Sequence, residues 1–213
     1  MSVAEGAGRN FEDAHNLVDE NRNELNMAYA FEGVDIAKPD GYSLATFKEV
    51  FSRWDKEFAT KGWLSIFLSN HDQARLVSRY GNDSLSMRGT PYCYYGDELG
   101  MTNIGFETIE EYQDIAAING FKKVKNAGGD LELYLKNLKF GSRDNGRTPM
   151  QWDNTFNAGF SAGTPWLPVN ENYKTLNVET EIKNPQSVLN HFKKMVELRK
   201  ENPVLVHGIY ELV

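Results

Sequence analysis

Three apolar stretches of the chain have the pattern of β-strands. Residues 63–69 and 89–101 are nearly continuous apolar runs, and residues 24–35 have apolar side chains at alternate positions. The opening residues, MSVAEGAG, resemble a chain that starts just before a further strand. Strands with continuous apolar runs are typical of parallel sheets covered by helices on both faces.

Amphipathic periodicity predicts three helices, over residues 42–62, 109–126 and 185–203. Ser43 is the expected cap of the first helix and Gly62 its expected stop. Residues 140–166 are rich in glycine and asparagine with few periodic apolar positions, and we expect a long loop there. From residue 204, VLVHGIYELV predicts a final β segment. Strands that alternate with helices in this way indicate an α/β fold with a parallel sheet.

Polar side chains stand where the apolar runs end. Glu5, the pair His71–Asp72 and the pair Asp97–Glu98 all follow predicted strands. In a β/α barrel the chemistry lies at the carboxyl ends of the strands. Two carboxyl groups facing one sugar ring can cleave a glycosidic bond, although a single strand-end carboxylate is more often a cap or an ion-pair member. We expect Asp97–Glu98 to cap the turn that follows them.

Composition excludes several classes of protein. The 213 residues are 40% hydrophobic and 25% charged, with a net charge of −7 and no basic run, which argues against nucleic acid or an anionic membrane as a partner. A single cysteine, Cys93, excludes an internal disulfide and a thiolate metal cluster. No run of 18 apolar residues occurs, so the sequence predicts no membrane span. The cellular compartment stays open.

Several long motifs resemble one known family. SNHDQARLVSRYGND (69–83) and SRDNGRTPMQWDNTFNAGF (142–160) closely resemble the α-glucosidase branch of glycoside hydrolase family 13, within the α-amylase superfamily. MSVAEGAG, GTPYCYYGDELGM and HFKKMVELRKENPVLVHGIYELV resemble its fifth strand, its eighth strand and its last helix. The resemblance implies a partial (β/α)8 TIM barrel of strands five to eight over residues 1–204. Residues 205–213 would then start a C-terminal antiparallel β domain.

The resemblance also implies roles for individual residues. Glu5 matches the general acid/base, and Asp72 matches the carboxylate that grips sugar hydroxyls as the ring flattens towards an oxocarbenium ion. His71 matches the imidazole that binds glucose in the first subsite. Arg143 would hold sugar hydroxyls or the Asp72 carboxylate, and Arg147 would bound the leaving-group side of the site. The alternative for each arginine is a salt bridge that orders the loop. No cofactor and no metal is expected.

The chain departs from the family pattern in three places. It contains no segment like the one with the strand-four aspartate nucleophile, so the isolated chain is expected to be inactive. Only 17 residues separate Asp72 from Thr90, too few for the usual crossover helix, which suggests that residues were deleted here or are missing from the sequence. Asp114–Ile115–Ala116 replaces the D-I-E of many α-glucosidases, which leaves the preferred linkage open.

These observations predict part of a retaining glycoside hydrolase that releases glucose from the non-reducing end of small α-glucosides. The expected partner is a small α-linked oligosaccharide or disaccharide. Two alternatives remain: a transglycosidase such as a sucrose isomerase, and a non-catalytic subunit like the α-glucosidase-like heavy subunits of amino-acid transporters. Half a barrel exposes sheet edges and apolar surface, so we also expect self-association.

Overall fold

The structure is a computed structural model that describes residues 2–5, 10–19, 21–58, 62–66, 68–81 and 90–208. The chain divides into two compact units. The first unit comprises residues 1–68, 84–93 and 194–213, and the second comprises residues 69–83 and 94–193. No helix in the described ranges is both long and apolar enough to cross a bilayer.

The first unit contains a parallel four-stranded sheet in which the strands lie in chain order. The strands are β1 (Val3–Ala4), β2 (Met27–Tyr29), β3 (Leu64–Ile66) and β4 (Thr90–Pro91). Val3 pairs with Met27, and Ser65 pairs with Thr90. The hydroxyl of the buried Ser65 donates to the Ala28 carbonyl at 2.6 Å, which adds a side-chain hydrogen bond between neighbouring strands. The parallel sheet predicted from the apolar runs is confirmed.

The strands are shorter than the hydrophobic pattern predicts. Of residues 24–35, only the segment Met27–Tyr29 is extended, and a 3₁₀ turn follows at Phe31–Gly33. Of residues 89–101, only Thr90–Pro91 pairs in the sheet, and the described part of the remainder is irregular up to a 3₁₀ turn at 97–99. A continuous apolar run therefore indicates burial here, and the hydrogen-bonded strand within it is shorter than the run.

Two helices, α1 (Phe11–Val18) and α2 (Leu44–Phe58), pack within the first unit. The predicted cap is confirmed, because the Ser43 hydroxyl accepts the Thr46 N–H at 3.2 Å. Phe11 meets Trp54 edge to face with ring centroids 4.9 Å apart. The apolar stripe of α2 is buried, as its helical spacing predicts, and includes Val50, Phe51, Trp54 and Phe58.

Six further helices follow among the described residues. They are α3 (Leu76–Tyr80), α4 (Ile115–Asn126), α5 (Leu131–Gly141), α6 (Val178–Lys183), α7 (Val188–Glu201) and α8 (Val204–His207). The predicted helices near 109–126 and 185–203 correspond to α4, which follows a 3₁₀ turn at 109–111, and to α7. Helices α5 and α6 were not predicted. The region 142–166 is irregular apart from two short 3₁₀ segments, in agreement with the predicted loop.

The last described residues correct the predicted final β segment. Val204–His207 forms α8 rather than a strand. Pro203 has φ −54°, close to the helical value, and its carbonyl accepts the N–H groups of Val206 and His207, so the turn closes locally. Residues 209–213 lie outside the described residues, and a domain boundary between 204 and 205 stays a prediction.

The second unit has two apolar clusters. One is formed by Leu99, Met101, Met150 and Leu189, with Val178 packed against it. The other is formed by Phe106, Tyr112, Ala117 and Leu167, with four partly buried apolar side chains around it. Met150 packs the irregular segment 142–166 into the first cluster, and Leu167, directly after this segment, belongs to the second.

Candidate active site

The candidate site in the second unit is built around the carboxylate of Asp72. Its Oδ1 accepts a hydrogen bond from Arg147 Nη2 at 2.8 Å and lies 3.4 Å from Arg143 Nη1. Its Oδ2 lies 3.6 Å from His71 Nε2, whereas the contacts of both arginines given above are to Oδ1. The Asp72 side chain is 37% exposed. One carboxylate oxygen is therefore held by two guanidinium groups, while the other faces the imidazole and can accept a hydrogen bond from a ligand hydroxyl.

A tight turn presents His71 and Asp72. The Asn70 side-chain oxygen accepts the Asp72 N–H at 2.8 Å, and the Asn70 carbonyl accepts the Gln73 N–H at 3.2 Å. Asparagine is favoured in such turns because its short side chain satisfies the backbone two residues on. Arg147 reaches the same turn, since its Nε donates to the His71 carbonyl at 2.8 Å. The turn and the arginine are thus joined by both backbone and side-chain contacts.

The segment with both arginines, Arg143–Arg147, is a 3₁₀ turn fixed by the buried carboxylate of Asp144. Asp144 Oδ2 accepts the N–H of Gln113 at 2.7 Å and the N–H of Asp114 at 2.9 Å. Asp114 in turn caps α4 by accepting the Ala116 N–H, and its Oδ2 lies 3.8 Å from Arg143 Nε. Positive and negative groups alternate from Asp114 to Arg147, which orders the loop and directs both arginines at Asp72.

Asp97 fixes a turn, but the prediction that Asp97 and Glu98 cap the turn after them was wrong, because both carboxylates accept backbone N–H groups of residues that precede them. Asp97 Oδ2 accepts the Tyr94 N–H at 3.1 Å and also the hydroxyl of Ser69. Burial raises the pKa of this carboxyl group to about 6, although both hydrogen bonds and the nearby Arg75 guanidinium oppose the shift. Glu98 accepts the Gly96 N–H at 2.8 Å in the same turn. These two acidic residues therefore organise the backbone next to Ser69, three positions before Asp72.

Glu5 belongs to the first unit and directly follows β1. Its side chain is exposed. Tyr29 ends β2, and its ring meets that of Tyr92 edge to face with centroids 4.9 Å apart. The pKa of Tyr29 is raised by burial, by the Tyr92 phenol and by the charge of Glu5, so the carboxylate lies within electrostatic reach of this pair. All three residues lie at the carboxyl edge of the sheet, where α/β folds place their sites.

The structure brings four of the five predicted site residues together. His71, Asp72, Arg143 and Arg147 form one cluster within the second unit. The salt bridges expected as the alternative role of both arginines are present, and a role of these residues in binding sugar stays a prediction. Glu5 lies in the other unit, and a pocket shared by Glu5 and Asp72 stays a prediction.

Sequence reasoning missed three buried charged residues that support this cluster. They are Arg75, Asp144 and Asp114. Arg75 and Asp144 bind backbone groups of distant segments, so no spacing along the chain identifies them. Asp114 accepts the nearby Ala116 N–H and also pairs with Arg143, a contact that its cap position does not reveal. The sequence offers one indication of this kind, the position of Arg75 between Ala74 and Leu76. A charged residue between apolar neighbours is a candidate for a buried group whose charge is compensated by polar partners.

Comparisons with known proteins identify the family and the fold of the chain. The alpha-amylase catalytic domain family matches residues 1–208. The chain is 42% identical to the oligo-1,6-glucosidase of Parageobacillus thermoglucosidasius and 36% identical to the trehalose-6-phosphate hydrolase of Bacillus subtilis. Both alignments cover 100% of this chain and 42% of the relative, so the chain spans less than half the length of these proteins.

Two solved structures are similar over nearly the whole chain. The trehalose-6-phosphate hydrolase TreA of Bacillus licheniformis superposes with a TM-score of 0.91 at 37% identity, covering 100% of this chain and 42% of TreA. Isomaltulose synthase PalI from Klebsiella sp. LX3 superposes with a TM-score of 0.91 at 36% identity, covering 98% of this chain and 42% of PalI. The chain therefore belongs to the alpha-amylase family of glycoside hydrolases, and its parallel sheet is part of that family's TIM-barrel fold.

Proposed function

We propose that this chain forms the active-site half of a retaining glycosidase that releases glucose from the non-reducing end of small α-glucosides. The observation that carries the proposal is the Asp72 carboxylate, whose Oδ1 is held by Arg143 and Arg147 while Oδ2 faces His71. This arrangement offers a fixed acceptor next to an imidazole, which suits adjacent hydroxyl groups of one sugar ring. The oligo-1,6-glucosidase and trehalose-6-phosphate hydrolase relatives support this substrate class.

Each residue then has a distinct role. Glu5 protonates the glycosidic oxygen as the bond to the anomeric carbon breaks, and it later takes a proton from the incoming water. Asp72 accepts hydrogen bonds from ring hydroxyls that strengthen as positive charge develops at the anomeric carbon. His71 donates to the sugar in the first subsite. Arg143 and Arg147 orient Asp72 and bound the pocket.

We infer that the segment corresponds to barrel strands five to eight and is inactive by itself. The order of its motifs supports this placement, as does a sheet of four strands in chain order. No segment of the sequence matches the family's strand-four nucleophile, so no covalent glycosyl-enzyme can form on this chain alone. The alignment with the oligo-1,6-glucosidase extends over 235 residues, whereas this chain has 213, which supports missing residues in this chain. We place them between Asp72 and Thr90, where the connection is too short for the usual crossover helix.

A chimaera tests the proposal. The first barrel half of the Parageobacillus oligo-1,6-glucosidase, which would supply the nucleophile, is joined to this chain and assayed with nitrophenyl α-glucoside and isomaltose. We expect glucose release that falls roughly 100-fold or more in Glu5→Gln and in Asp72→Asn. Glu24→Gln, which changes an exposed carboxylate paired with Arg22, is the matched control and should retain activity. A folded chimaera that releases no glucose, or one in which both site variants stay active, contradicts the proposal.

A transglycosidase is the second candidate, favoured by the structural likeness to isomaltulose synthase. The same covalent chemistry would then pass the glucosyl group to another sugar hydroxyl instead of water. Product analysis with sucrose separates the two candidates. Isomeric disaccharides indicate transfer, whereas glucose plus fructose indicate hydrolysis. A chimaera that binds sugar without forming either set of products indicates the non-catalytic alternative.

A further inference from the structure

The guanidinium group of Arg75 is buried at the centre of the second unit, and the residue is 1% exposed. Its Nη1 donates to the Tyr95 carbonyl at 2.6 Å, and its Nε donates to the Asn145 carbonyl at 3.0 Å. Its Nη2 donates to both the carbonyl and the hydroxyl of Thr148 at 3.0 Å. These four acceptors compensate a buried charge through hydrogen bonds to neutral oxygens.

These contacts join the segments that meet at the candidate site. Arg75 lies three residues after Asp72, and its acceptors Asn145 and Thr148 stand on either side of Arg147 in the sequence. The Tyr95 hydroxyl also donates to the Thr148 carbonyl at 2.9 Å, while the Tyr95 ring centroid lies 4.8 Å from the guanidinium carbon. The backbone on both sides of Arg147 is therefore fixed to the segment that follows Asp72.

The space around the guanidinium is closed to other side chains. A Cβ atom at Gly96 would lie 2.8 Å from Arg75 Nη1, and Gly96 has φ +91°, which favours glycine. The Arg75 backbone is held as well, because its N–H donates to the Asn103 side-chain oxygen at 2.9 Å. A planar fork with five donors can reach three separate carbonyls at once, whereas a lysine ammonium has one donor atom.

We propose that Arg75 is a positioning residue, which acts through Asn145 and Thr148 to hold Arg147 in its paired geometry with Asp72. The proposal rests on the function proposed above, because it assigns to Arg75 the preorganisation of that site. Misplacement of a site group by about 1 Å is enough to lose much of its effect, which gives a buried fork at this place a functional purpose.

The test compares Arg75→Lys with Arg79→Lys in the 213-residue chain. Arg79 is also buried, one turn further along α3, and lies 5.1 Å from the Tyr80 ring, so it is a matched control. The readout is the exchange rate with water of the Arg147 Nε–H proton, which donates to the His71 carbonyl, measured by NMR. We expect this rate to rise at least about tenfold in Arg75→Lys, with backbone amide protection around Leu99 and Met101 retained, and to stay unchanged in Arg79→Lys.

Two outcomes overturn the proposal. One is an unchanged Arg147 exchange rate in folded Arg75→Lys. The other is an equal increase in both variants together with a general loss of amide protection, which indicates a structural role only. If Arg75→Lys does not fold, Thr148→Val decides in the same way, because it removes one acceptor and leaves the charge in place. The exchange measurement uses no sugar. Its result therefore does not depend on whether the chimaera proposed above is active.

Discussion

Asp97→Asn is expected to remove a pH dependence of stability that one buried carboxyl group creates. Asp97 Oδ2 accepts the Ser69 hydroxyl and the Tyr94 N–H, and an asparagine side-chain oxygen can accept the same two donors. Burial raises the pKa of Asp97 to about 6 from its ordinary value of 3.8. The substitution keeps the shape of the side chain but has no proton to gain or lose.

The sign follows from which state binds the proton more tightly. Because the folded state has the higher pKa, it holds the proton through a range in which the unfolded state has released it. The free energy of unfolding therefore falls as the pH rises from about 4 to about 6, and it is constant above that range. A shift of about two pKa units corresponds to about 3 kcal/mol, an upper value for this single group.

Urea denaturation of the wild type and of Asp97→Asn, followed by tryptophan fluorescence between pH 4 and pH 8, measures this difference. Low protein concentration is needed, because the range includes the isoelectric point near 5.2. We expect Asp97→Asn to gain up to about 3 kcal/mol relative to the wild type as the pH rises. Glu132→Gln, which removes an exposed carboxylate of α5, is the control and should follow the wild type.

Parallel stability curves for the wild type and Asp97→Asn across this range would refute the reasoning. So would a carbon-13 NMR titration of the Asp97 carboxyl group with a midpoint near 4. The second measurement observes the group directly, and it separates an ordinary pKa from a shift that is masked by other titrating residues.

Three further outcomes are expected. Asp144→Ala should lower the free energy of unfolding in urea by about 2–4 kcal/mol, because the buried N–H group of Asp114 and the partly buried N–H group of Gln113 lose their acceptor. Asp130→Ala should lower it by about 1 kcal/mol, since Asp130 caps α5 by accepting the Leu133 N–H, and Asp130→Ser should restore most of the loss. In sedimentation velocity the isolated chain should self-associate, because β1 and β4 are the edge strands of the sheet formed by the described residues; a single monomeric species would contradict this.

The elements with strong local signals could be predicted from the sequence. Helix α2 has a cap at Ser43 and a periodic apolar stripe, and both are confirmed. Helix α5 has a comparable cap at Asp130, but it was not predicted. None of its residues is buried, so it lacks the wide apolar stripe by which a helix is recognised in a sequence. A strand was expected from residue 204, but Val204–His207 form a short helix whose first turn closes on the Pro203 carbonyl. The valines of this segment lower its helix propensity only slightly, which is not enough to prevent a helix of four residues.

The candidate site was predictable to a smaller extent. Asp72 and Arg147 are 75 positions apart, so only the family motifs placed them in one predicted site. The predicted contact of Asp72 was with Arg143, which lies 3.4 Å away, and the structure adds a hydrogen bond of 2.8 Å from Arg147. Arg75 and Asp144 have no comparable signal, since their partners are backbone groups whose positions depend on the folded chain. The residues of the predicted site lie in recognisable family motifs, whereas the buried residues that hold them in place are identified only from the folded structure.

The sheet places each strand beside its neighbour in the sequence, from β1 through β4. A further strand and helix can be added beside either edge strand of such a sheet without changing the connections between the existing strands. Gene fusion or duplication at the ends of such a segment would therefore preserve its internal pairing. The same property makes it a suitable module for building new barrels by recombining pieces of related enzymes.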